Sequence, residues 1–211
     1  MLTLLPEKVE KYLEKCVQPW EGAMQEIEQE GARDRWPIIG PQVGSFLEIL
    51  TRAVGAKDVL ELGTAIGYSS SWLARAVGPG GRVVSIEIDP KTAEKARRNH
   101  RRVGVEKIVE VVVGGGLEKV KTLTGQFDFA FMDHAKEEYP ECLDHLVRLV
   151  RPGGIIAADN VLWSGNVADP KVKDADTEAL REYVRRARAH PKLRTSVVPL
   201  RDGVAVSLRL P

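Results

Sequence analysis

Cysteine is scarce in this chain. Cys16 and Cys142 are the two present, each within a helix-like stretch and neither at a metal-ligand spacing. That argues against a disulfide framework and makes a reducing cytoplasm the expected setting. Charge imbalance is also lacking: 31 basic against 30 acidic residues leave a net charge of +1, so bulk electrostatics offer no case for nucleic acid or membrane. Long apolar runs are absent. Met1 to Pro6 is apolar for only a few residues before Glu7, too short for a signal peptide or a membrane span. Internal repeats and low-complexity segments are missing as well.

What remains is an ordinary globular composition, 43% hydrophobic and 29% charged over 211 residues, which fits one domain better than two. Apolar positions at helical spacing run over residues 7–30, with Pro19 expected to split or kink the helix. Residues 31–42 read as a loop and Val43 to Val54 as a further helix stopped at Gly55. Five short apolar runs then predict strands at Asp58–Leu62, Arg82–Ile88, Ile108–Val113, Phe127–Met132 and Gly154–Ala158. Helical patterns at 68–77, 90–103, 116–123 and 137–150 alternate with them, the signature of parallel βαβ units with helices on both faces. Two β-rich runs close the chain, Arg194–Leu200 and Val204–Leu210, around the turn Arg201-Asp202-Gly203. They predict a hairpin that adds an antiparallel strand to the sheet.

Chemistry collects where those strands end. Asp133-His134-Ala135-Lys136 follows one apolar run and Asp159-Asn160 follows another. Open α/β sheets bind ligands outside the carboxyl ends of their strands, so two Asp, one Asn and one Lys are expected to converge there. Carboxylate and amide oxygens suit Mg²⁺, or Mn²⁺ and Ca²⁺, rather than zinc. Lys136 beside them is a candidate base. Taken singly, Asp133 is equally a helix cap, Asp159-Asn160 a turn and Lys136 a solvated residue.

A second constellation sits earlier. Val59-Leu60-Glu61-Leu62-Gly63-Thr64-Ala65-Ile66-Gly67-Tyr68-Ser69 is a strand, a glycine turn and a helix start, but its Gly-x-x-x-Gly spacing is not the dinucleotide fingerprint. The acidic Glu61 disfavours a pyrophosphate and favours a cationic ligand. Glu87, about twenty residues on, stands where an acid commonly accepts hydrogen bonds from ribose hydroxyls. Ribose plus a positive charge points to S-adenosylmethionine.

These segments, with Phe131-Met132-Asp133-His134-Ala135-Lys136-Glu137-Glu138-Tyr139 and Ala158-Asp159-Asn160-Val161-Leu162-Trp163-Ser164-Gly165, resemble the cation-dependent O-methyltransferases of the catechol and caffeoyl-coenzyme A type. The likeness runs from about residue 36 to 211, with Pro41 to Leu47 and Arg201-Asp202-Gly203 in matching places. It implies a Rossmann-like class I methyltransferase fold: a seven-stranded, mostly parallel sheet with an antiparallel last strand. Residues 1–42 would form an N-terminal helical or lid segment and 43–211 the cofactor-binding core of a single domain. It further implies that Ile39, Glu61 and Ser69 hold the methionine portion of the cofactor, with Gly63 in close backbone contact. Glu87 would bind ribose, and Gly114, Gly115 and His134 would surround adenine. Asp133, Asp159 and Asn160 would bind the metal, Asp133 thereby bordering the cofactor, and a homodimer is the family expectation. The run Gly114-Gly115-Gly116 departs from the acidic or hydroxylic residue common in relatives, leaving adenine recognition there to backbone groups.

The acceptor expected is a vicinal aromatic diol chelated beside the metal, with Asn160 and Lys136 against its hydroxyls. Trp36 and Trp163 are candidates for its walls or for core packing, and Asp202 for a hydroxyl contact or a plain turn. His134 is not expected to bind the metal, since a chain neighbour usually points elsewhere, and His100, His145 and His190 are expected to face solvent. Arg97-Arg98-Asn99-His100-Arg101-Arg102 and Arg185-Arg186-Ala187-Arg188 read as solvated helix faces balanced by nearby acids. The alternatives are a tRNA-binding surface, for methylation of a hydroxylated uridine, or contacts to coenzyme A phosphates. A non-enzymatic cofactor-binding regulator fits poorly, because the metal triad and Lys136 are intact.

Overall fold

The five apolar runs become parallel strands in a computed structural model that describes residues 5–211. The reading of Met1 to Leu4 as no part of a leader or span lies outside the described residues. The strands are β1 (Asp58–Leu62), β2 (Arg82–Glu87), β3 (Val109–Val113), β4 (Phe127–Met132) and β5 (Val150–Ala158). The closing hairpin supplies β6 (Leu193–Val198) and β7 (Val204–Arg209), and the sheet order is β3-β2-β1-β4-β5-β7-β6. β7 runs antiparallel to both β5 and β6, as the turn at Arg201-Asp202-Gly203 predicts.

Alternate residues of each central strand feed opposite cores, as the two-residue period requires. Val59, Phe129, Phe131 and Ala157 pack beneath α3 (Gly40–Ala53), α4 (Tyr68–Val77) and α5 (Pro90–Val103). Leu60, Leu62, Met132 and Ile156 pack with α7 (Tyr139–Leu149) and α8 (Ala175–Ala189) on the other face, beside the short α6 (Gly116–Thr122). The N-terminal pattern does split, into α1 (Glu7–Cys16) and α2 (Ala23–Arg33), so the following loop is shorter than the predicted 31–42.

One expectation is overturned. His100 is 1% exposed and its Nε2 lies 2.8 Å from the Ser70 hydroxyl; burial drives its pKa down to about 4. It belongs to the inner stripe of α5 with Ala93, Ala96 and Asn99, which the surrounding arginines disguise. His145 and His190 are half-buried rather than solvent-facing. The arginines themselves follow the solvated-face reading. Arg97 and Arg101 pair with Glu94, Arg102 with Glu26 and Glu30, Arg185 with Glu182, and Arg186 with Asp144. Among the described residues no helix is long and apolar enough to cross a membrane.

Strand order sets the site. From β1 the chain builds outward through β2 and β3, then returns to place β4 on the other flank of β1. That reversal opens a crevice at the carboxyl ends of β1 and β4. The parallel ladder runs one residue beyond the strands there. Gly63 N–H donates to Ile86 O, Gly114 to Glu87 O, Asp133 to Leu62 O and Asp159 to Met132 O, at 2.8–3.0 Å. The backbone at four predicted site positions is therefore held by the sheet itself.

Candidate active site

A cavity of about 570 Å³ occupies this crevice. Its wall includes Ile39, Gly63, Ser69, Glu87, Gly114, Asp133, His134, Lys136, Asp159, Asn160, Trp163 and Asp202, all predicted from the sequence, together with Trp36. Two predicted residues are not in the wall. Glu61 is fully buried, and Gly115 caps the start of α6 while its neighbour Gly116 faces the cavity.

Gly63 shows why glycine is needed after β1. Its φ is +98°, and a Cβ there would lie 2.2 Å from the Asp133 carbonyl oxygen. Any side chain would push β1 and β4 apart at the crevice floor. Across the turn, the Glu87 carboxylate accepts from Ala65 N–H at 2.8 Å and from Asp89 N–H at 3.0 Å, which fixes both oxygens at the cavity edge. Asp89 in turn caps α5 through Thr92 N–H at 2.6 Å.

Two buried polar atoms in this half lack partners, Glu61 Oε1 and His134 Nδ1. Burial raises the Glu61 pKa to about 8, against the opposing pull of the Ser69 and Ser85 hydroxyls; nearby Asp133 and Glu87 raise it further. Burial, with Lys136 close by, lowers the His134 pKa to about 3, so its imidazole is neutral. The two atoms suit a ligand that carries an ammonium at one end and a nitrogen-rich ring at the other. Glu87 stands with oxygens aimed at what lies between.

The other half is built of oxygen. Asp159 is 4% exposed and its Oδ1 accepts from Asn160 N–H at 2.9 Å, with Asn160 in the left-handed region at φ +60°. Burial raises the Asp159 pKa, and the Asp133 carboxylate adds to it. A buried carboxylate within electrostatic reach of a second one calls for a cation. Lys136, 8% exposed, supplies one in the structure, with Nζ donating to Asp133 Oδ1 at 2.7 Å. The donor set of two carboxylates and an amide fits a hard divalent ion.

Three wall or near-wall residues escape the sequence reading. Tyr139, fully buried, accepts from Lys136 Nζ at 3.0 Å, while its hydroxyl donates toward the carbonyls of Met132 and Asp159 at 3.0 and 3.2 Å. Its spacing three residues from Lys136 was the available signal. Arg201 lines the cavity and donates to the carbonyls of Ile38 and Ile39, tying the hairpin turn to the 34–39 loop. Glu138 also faces the cavity, its Oε2 accepting from Leu117 N–H at 3.1 Å. Asp202 is committed to the turn, where Oδ1 accepts from Ser164 N–H at 2.5 Å and positions the segment after Trp163.

The geometry can be set beside known proteins. The profile of a family described as O-methyltransferase matches residues 15–210. A catechol O-methyltransferase of Mycobacterium tuberculosis is 42% identical over 176 residues, 81% of this chain and 80% of that one. Among solved structures, an O-methyltransferase of Bacillus cereus in complex with S-adenosylhomocysteine superposes with a TM-score of 0.87 at 31% identity, covering 96% of this chain and 97% of that one. The O-methyltransferase TomG of Streptomyces achromogenes, in complex with S-adenosylmethionine, gives 0.88 at 31% identity, with 97% and 96% covered. A Rossmann-like sheet, a cavity at its switch point and a profile match over nearly the whole length agree: this chain belongs to the O-methyltransferase family and is an S-adenosylmethionine-dependent enzyme.

Proposed function

We propose that the enzyme is Mg²⁺-dependent and methylates one hydroxyl of a vicinal aromatic diol. The observation that carries this reading is the pair of buried Asp159 and partly buried Asp133 at the ends of adjacent strands, with the Lys136 ammonium 2.7 Å from Asp133 inside the same cavity. Asp133, Asp159 and Asn160 would hold the ion. When bound, Mg²⁺ lowers the pKa of hydroxyls beside it, and the sulfonium supplies an electrophilic methyl group. Trp36 and Trp163 offer flat walls for an aromatic ring. The relative at 42% identity carries the name of a catechol enzyme, which supports the same substrate class.

Once its own proton has left to solvent, Lys136 as the neutral amine would take the hydroxyl proton. Tyr139 and Asp133 hold its Nζ from two sides, so the amine reaches the reacting oxygen in one rotamer rather than several. Glu87 would accept from the ribose hydroxyls, Glu61, buried behind the wall with Oε1 unpartnered, would supply the negative charge that attracts the ammonium of the methionine portion, and His134 would border adenine. Residues 1–42 act as the N-terminal segment over a core of 43–211, within one domain. The paired arginines of α5 and α8 leave the tRNA alternative without an observation in its favour.

The direct test is methyl transfer from labelled S-adenosylmethionine to catechol or caffeic acid, with Mg²⁺ and with a chelator. Transfer that stops on chelation supports both ion and acceptor. Transfer that survives chelation removes the metal, and cofactor binding without transfer to any diol removes the acceptor class. Lys136→Met should lower kcat by about 10²–10⁴-fold, the usual worth of a positioned base. Its cofactor Kd should stay within about twofold, by calorimetry; an unchanged kcat would strip Lys136 of the role. Glu87→Ala should weaken cofactor binding by about 10–100-fold, since each ten-fold is about 1.4 kcal/mol and a charged hydrogen bond contributes about 1.5–3 kcal/mol. An unaltered Kd would contradict the ribose contact.

A further inference from the structure

Below the adenine end of the cavity lies a set of side chains that the methyl-transfer reading leaves unused. His134 lies in the bend before the 3₁₀ turn Lys136–Glu138, Glu138 ends that turn and Cys142 sits in the first turn of α7, and the chain brings their ligand atoms together. His134 Nε2 is 3.3 Å from Glu138 Oε2 and 3.6 Å from Cys142 Sγ. All three ligand atoms lie within 4.8 Å of one another, and among the described residues no other trio of His, Cys, Asp or Glu does so.

The two separations from His134 are those of atoms sharing one ion, and the third pair lies within 4.8 Å. With bonds of about 2.0 Å to nitrogen or oxygen and about 2.3 Å to sulfur, tetrahedral angles put ligand atoms roughly 3.3–3.6 Å apart. The supports are in place too. The His134 ring stacks on Tyr139 with centroids 5.3 Å apart and planes at 26°. On its other flank it touches Gly116, where a Cβ would sit 2.8 Å from the ring Cδ2. The Glu138 carboxylate is held by Leu117 N–H. Partners of this kind fix ligand orientation and tune affinity.

We propose that His134, Glu138 and Cys142 form a second cation site, for a thiophilic ion such as Zn²⁺ or Cd²⁺, whose occupation excludes the adenosine part of the cofactor. A nitrogen–oxygen–sulfur set selects differently from the all-oxygen set of Asp133, Asp159 and Asn160. Cys142 closes the inner side, fully buried, while His134 and Glu138 form cavity wall, so the ion enters through the cavity and its fourth position faces back into it. Coordination replaces the thiol proton, which leaves to solvent, and no group changes oxidation state. The exclusion of adenosine rests on the cofactor placement given under Proposed function; the ion site itself does not.

The test is titration of the full chain with Cd²⁺ in excess Mg²⁺, following thiolate-to-cadmium charge-transfer absorption in the ultraviolet. One equivalent should saturate the band in the wild type and in Cys16→Ala, and Cys142→Ser should lose it. Glu138→Ala should raise the Cd²⁺ Kd by at least about tenfold. No band at one equivalent, or a band that survives Cys142→Ser, overturns the site. Should Cys142→Ser fail to fold, an unchanged Kd in Glu138→Ala overturns it equally. S-adenosylhomocysteine should abolish the band; a band it leaves intact overturns the exclusion and, with it, the placement of adenine, while the ion site stands.

Discussion

Asp159→Asn is expected to abolish methyl transfer while leaving the metal-free protein at least as stable as the wild type. Loss of turnover by about 10³-fold or more corresponds to roughly 4 kcal/mol of transition-state stabilisation. Stability should move the other way because of how Asp159 is buried. Its folded pKa is raised by burial and by Asp133, above an unfolded value near about 3.9. The sign follows: such a group favours folding below its unfolded pKa, and that contribution is lost as pH rises through the folded value. At pH 8 the metal-free wild type therefore carries a strained carboxylate pair that the amide relieves. Melting in a chelator should show Asp159→Asn with the higher Tm at pH 8 and a gap that closes toward pH 4. Added Mg²⁺ should raise the wild-type Tm by linkage and leave the variant unmoved. A variant that keeps wild-type turnover, or that responds equally to Mg²⁺, would remove Asp159 from the ion site.

The residues proposed to carry this chemistry reach the cavity because the sheet dictates where they go. An apolar run that ends in Asp133 or Asp159 delivers that carboxylate to the crevice, since the ladder continues through the residue's own N–H. Gly63 and Glu87 were readable for the same reason, as the first residue past β1 and the last of β2. What escaped depends on packing between elements. Tyr139 looks like any aromatic at a helix start, yet its hydroxyl joins Lys136 to the carbonyls of Met132 and Asp159. His100 sits among arginines, and only the packing of α5 against α4 reveals that it faces inward to Ser70. The helix α8 was masked by charge: its buried stripe is Thr177, Leu180, Tyr183 and Ala187, four residues amid seven acidic or basic ones. Its cap was there to be read, with Asp174 accepting from Thr177 N–H at 2.9 Å.

Cofactor affinity should fall as pH drops below 8, and the residue responsible should be Glu61. The carboxyl is fully buried, its Oε1 has no partner, and burial holds its pKa near about 8. Below that pH the free enzyme carries a neutral acid, which attracts an ammonium poorly; above it a carboxylate awaits a cation. Binding a positively charged amino acid portion should therefore expel the proton, and Kd should rise about tenfold for each pH unit below the free-enzyme pKa. Calorimetry in two buffers of different ionisation enthalpy, at pH 6 and at pH 8.5, reads both effects: proton release at the lower pH and near none at the higher. Glu61→Gln should bind weakly at both, with no proton release. It should also flatten the pH profile, because the amide cannot charge. A wild-type Kd that stays constant from pH 6 to 8.5 would place the ammonium elsewhere and leave Glu61 as a structural acid bonded to Ser85.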